Sequence, residues 1–92
     1  MMYPYMILDD ETEIIHSHLI ETGERGEDKR VEVHFERPTE NGFDTARCSL
    51  PSYEWIKRDG FTNGEIYKFE HFLQNHAHLL YKYAESGGVQ VA

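Results

Sequence analysis

Residues 61–88 read FTNGEIYKFEHFLQNHAHLLYKYAESGG, and both ends of one helix are written into them. Thr62 and Glu65, three apart, fit a capping box, in which the hydroxyl accepts from the Glu65 amide and the carboxylate accepts from the Thr62 amide. Phe61 and Ile66 fall at the positions of a hydrophobic staple. At the far end Ser86-Gly87-Gly88 supplies a residue able to enter the left-handed conformation that closes a helix. At about 100° per residue, Ile66, Phe69, Leu73, Ala77, Leu80 and Ala84 form one apolar stripe. Such a stripe must be buried against another element.

The chain upstream provides a sheet. Val31, Val33 and Phe35 alternate with Glu32, His34 and Glu36, the period of a strand with one wet face. Pro38 to Gly42 reads as a turn. Beyond it Ala46, Cys48 and Leu50 alternate with Thr45, Arg47 and Ser49. Nearer the start, Tyr3 to Leu8 and Thr12 to Ile20 flank Asp9-Asp10-Glu11, the pattern of a hairpin, and 22–29 is a polar loop. Connections this short favour an antiparallel β-meander of about four strands over parallel pairing. Pro51 to Arg58, carrying Trp55 and Ile56 and ended by Gly60, is predicted as a short helix before the long one. The expected architecture is a single α+β domain over 1–92, with the long C-terminal helix packed on one sheet face. Val89-Gln90-Val91 alternates enough to form a fifth short strand or a frayed tail.

The helix carries more apolar surface than one sheet contact requires. Phe72, His76, Leu79 and Tyr83 form a second stripe beside the first. Trp55 and Ile56 of the short helix are the intramolecular candidates to cover it. The other reading makes Phe72, Leu79 and Tyr83 a surface for self-association or for a protein partner, since aromatics are enriched in interface cores.

Ninety-two residues allow one modest core. The net charge is -8, and residues 1–46 hold twelve acids against four bases whereas 47–92 hold five of each. The whole excess lies in the first half. An acidic body repels phosphate backbones, so nucleic acid is an unlikely partner and a basic protein is a compatible one. A lone cysteine, Cys48, permits no internal disulfide and suits a reducing, cytoplasmic compartment. No run is long enough for a membrane span or a signal sequence.

Six histidines raise the question of chemistry. If Ile15 and Leu19 join the core with Val31, Val33 and Phe35, then His16, His18, Glu32, His34 and Glu36 share the outer sheet face, with Arg47 as a neighbour. Imidazoles and carboxylates of that kind can ligate zinc or a similar divalent ion, and a carboxylate can tune a histidine for acid-base work. Neither a cysteine pair nor a His-Glu-x-x-His helix accompanies them. Cys48 falls on the core face and reads as an inert small hydrophobe. Nucleophile elbow, phosphate loop and dinucleotide fingerprint are all missing from the sequence.

The order of hairpin, strand with His16-Ser17-His18, further strands and a capped helix entered through Gly60-Phe61-Thr62 resembles a group of short bacterial proteins of unknown function. Some of these are described as toxin–antitoxin components, and the likeness covers residues 10–84. It implies no catalytic residue and marks His16 and His18 only as positions of interest. The expected function is a non-enzymatic protein-binding or regulatory module without a cofactor. The alternative is a small enzyme or divalent-metal protein using the histidine and carboxylate cluster.

Overall fold

A computed structural model describes residues 1–88. Six strands precede one helix: β1 (Met2–Ile7), β2 (Glu13–Ser17), β3 (Ile20–Thr22), β4 (Asp28–Thr39), β5 (Gly42–Leu50), β6 (Glu54–Asp59) and α1 (Asn63–Ser86). Every pairing is antiparallel, and the strands lie in the order β1-β2-β4-β5-β6, with β3 beside β4. The class is α+β, with the helix on one face of a sequential sheet. The strand considered at Val89-Gln90-Val91 lies outside the described residues.

The helix begins and ends where its sequence says. Thr62 caps it, both halves of the capping box form, and Gly87 closes it at φ 82°, donating its amide to the Tyr83 carbonyl. Ile66, Phe69, Leu73, Leu80 and Ala84 are buried and Ala77 is packed beside them. They meet Ile14, Val31, Val33, Phe35, Ala46, Cys48 and Leu50 from the sheet. Phe35 and Phe69 stack at a centroid separation of 4.2 Å, which fixes the middle of the core.

Two expectations are corrected. The short helix at Pro51 to Arg58 is instead a tight turn leading into strand β6. Eight residues between a proline and a glycine cannot repay helix nucleation, whereas the free edge of β5 offers backbone partners at once. Tyr53 takes a left-handed φ of 59° and donates its amide to the Ser49 carbonyl, and Glu54 donates its amide to the Ser52 hydroxyl. Trp55 then faces inward against Phe35, and its indole donates to Glu70 on the helix at 2.8 Å.

The second correction concerns the second strand, which breaks into β2 and β3 and shows the opposite face to the one expected. Ile14 pairs with Phe35 and His16 with Val33. Cross-strand partners share a face, so the even-numbered residues of β2 point into the core. Ile15 lies opposite His34 on the outer side. Leu19 still packs against the core, because the break at His18 and Leu19 resets the alternation and ties the Leu19 amide to the Ala84 carbonyl.

Candidate functional site

Ile56 is exposed, and among the described residues no ring contact joins Trp55 to the second helical stripe. Strand β1 covers it instead. Tyr5 lies against Phe72 and Tyr83 with ring centroids 6.2 Å away in each case, and its hydroxyl is hydrogen-bonded to His76 Nδ1 at 2.6 Å. His76 stacks on Phe72 at 4.0 Å. Burial, and then the neighbouring Tyr83 phenol, push the Tyr5 hydroxyl above its ordinary pKa. Leu79 is half-buried on the same side of the helix.

The cover is incomplete at one end. Where β1 runs into its turn, an open cleft of about 590 Å³ separates it from the first half of α1. Met6, Ile7 and Leu8 form one wall, and Phe69 and Phe72 form the other. Ile7 is 70% exposed and Met6 beside it is exposed too, so apolar surface is continuous with the cleft wall. The register of β1 slips between Pro4 and Met6, and such a bulge re-aims the side chains that follow it.

Three acids and one base surround the opening: Asp9, Asp10 and Glu65, with Lys68 beside them. The β1–β2 turn is tightly built: Leu8 donates its amide to the Thr12 carbonyl, Glu11 adopts φ 70°, and Asp10 accepts from the Thr12 amide at 3.0 Å. Arg37, at the end of β4, ties the surroundings together. Its guanidinium donates to Asp44 at 2.8 Å, to Asp10 at 3.4 Å and to Glu65, and it lies 4.6 Å above the Phe61 ring. The Arg37 guanidinium, and then the Thr62 amide, hold the Glu65 carboxyl below the usual carboxylate range. Glu65 and Asp44 in turn raise the pKa of Arg37. Asp9 makes no ion pair among the described residues, and the three acids at the opening outnumber Lys68.

The histidine and carboxylate residues separate. His16 is fully buried on the core face between Tyr3 and Tyr5, donating from Nδ1 to the Ser17 carbonyl at 2.8 Å. His18 is exposed at the break between β2 and β3. Glu32, His34 and Glu36 do lie on the outer face, His34 pairs in register with Arg47, and His34 Nε2 donates to Glu32 at 2.8 Å. Among the described residues no group of three or more His, Cys, Asp or Glu side chains is placed to hold a metal ion. Cys48 is buried, and desolvation pushes its thiol up to about 12.

Sequence reasoning missed the cleft walls at Met6 and Ile7. The available signal was an uncharged run from Met1 to Leu8 followed at once by three acids. No family model, curated protein or solved structure matches this chain.

Proposed function

We propose that this protein is a non-enzymatic binding module, which seats a basic segment of a partner protein in the cleft between β1 and α1. The segment carries one aliphatic or aromatic anchor and at least one lysine or arginine. The observation that carries the reading is the juxtaposition of exposed Ile7 and the Phe69–Phe72 wall with three acids, Asp9, Asp10 and Glu65, against one base, Lys68. Anchors of this kind dominate binding energy, while charges at the rim set the rate and choice of partner. The volume is in the range of about 300–1,000 Å³ typical of pockets that enclose a side chain or small ligand.

The acidic first half extends the attraction beyond the cleft, and it disfavours nucleic acid. A protein partner is also compatible with the resemblance to short proteins described as toxin–antitoxin components. The cytoplasm is the proposed setting. Among the described residues no helix is long and apolar enough to cross a membrane.

The test is titration of the isotope-labelled protein with a short peptide of alternating leucine and lysine, followed by amide chemical shifts. Saturable shifts should concentrate at Met6–Glu11 and Lys68–Phe72. Ile7→Ser should weaken binding about tenfold, the equivalent of roughly 1.4 kcal/mol. Shifts scattered over other faces, or no saturation, would overturn the proposal.

A further inference from the structure

The two arginines of β4 have opposite surroundings. Arg37 is held by three carboxylates. Arg30, in a chain with 17 acidic residues, makes no ion pair and no side-chain hydrogen bond among the described residues, and its Nε is buried without an acceptor. Buried donors are satisfied in the great majority of cases, and a guanidinium is the donor least able to escape by losing its proton.

Two of the nearby acids are engaged elsewhere, while Asp28, which lines the same pocket, makes no ion pair among the described residues. Glu32, two residues along the same strand, accepts from His34, and Glu27 accepts the Arg25 amide at 2.8 Å within its own turn. Arg30 instead lines a pocket of about 380 Å³ between the start of β4 and the turn after β5. Lys29, Ser49, Ser52 and Thr22 share this lining, and Ser49 is 7% exposed. Ser52 and Thr22 spend their protons on the carbonyls of Ser49 and Asp28. The Ser49 hydroxyl makes no such bond.

We propose that the pocket at Arg30 binds a small oxyanion, a carboxylate or phosphate group. The terminal guanidinium nitrogens supply the planar donor pair, since Nε is closed to solvent, and the Ser49 hydroxyl adds a third donor. Asp28 and Glu27 at the rim favour a singly charged group, so carboxylate is expected to bind more tightly than phosphate. This site lies apart from the β1–α1 cleft and stands independently of the function proposed for it.

The test is separate titration of the labelled protein with sodium acetate and with inorganic phosphate at constant ionic strength, followed through the Arg30 Nε–H signal and the amides of Ser49 and Ser52. The expected result is a saturable shift of all three, stronger with acetate, lost in Arg30→Gln and reduced severalfold in Ser49→Ala. A tighter response to phosphate would keep the site and reverse the ligand preference. Signals that do not saturate with either anion, or that saturate equally in a folded Arg30→Gln variant, would overturn the proposal. Retention of the remaining amide spectrum in each variant identifies a loss of binding as local.

Discussion

Arg37 joins more elements than any other polar side chain among the described residues. It joins the β1–β2 turn through Asp10, the β4–β5 hairpin through Asp44 and the helix N-terminus through Glu65, while its plane covers Phe61. A single exposed ion pair contributes only about 0–1 kcal/mol, but a bidentate guanidinium shared among several carboxylates is the geometry in which such contacts count. The sign of its pH dependence follows from Glu65. The folded carboxyl lies below its ordinary 4.5, so its stabilisation is complete above that value and is lost as pH falls through the lower folded one. Glu65→Gln keeps one oxygen able to complete the capping box and removes both the charge and an acceptor for Arg37. Urea midpoints should be lower for this variant at about pH 7 and should converge with wild type only once the pH has fallen through the lowered pKa of the folded carboxyl. At the core, Leu73 and Leu80 are fully buried, and replacing either with alanine should cost about 2–5 kcal/mol. An unchanged midpoint would contradict their place under the sheet.

The helix was the element most legible in the sequence, because its caps are local signals and its period of 3.6 runs unbroken from Ile66 to Ala84. Strand parity in the hairpin was less so. Ile14 and Ile15 are adjacent, and their apolar character cannot say which faces the core; the pairing of Ile14 with Phe35 decides it. His16 was consequently expected outside and is found inside. The stretch from Pro51 to Arg58 was misread because Trp55 and Ile56 suit either period, and its strand exists only by virtue of β5's open edge. Gly60, which links β6 to the helix, can be tested directly. It takes φ 95°, and a Cβ there would collide with the Asp44 carboxylate that holds Arg37. Gly60→Ala should therefore lower stability by roughly 1–3 kcal/mol in thermal denaturation, more than the strain of one left-handed residue in open space.

At the scale of the molecule, a single helix covers one face of a six-stranded sheet, and the sequence of the helix foretold that its apolar arc was too wide for that contact alone. The missing cover was sought downstream, at Trp55 and Ile56. It comes from the N-terminal strand: the β1–β2 hairpin is legible locally, but it comes over the helix because β2 pairs with β4, a longer-range fact that no local pattern records. Its cover stops short at Met6 and Ile7 and leaves an apolar cleft under an acidic lip. The central claim is that this cleft takes a basic, apolar-anchored segment. Fluorescence anisotropy of a labelled leucine–lysine peptide, measured with wild type and with Asp9→Lys at about 50 mM and about 300 mM salt, tests it most directly. The account predicts that wild-type affinity falls several-fold with salt but survives through the anchor, while Asp9→Lys binds more weakly and loses most of the salt dependence. Equal affinity for both proteins at both salt concentrations would contradict it.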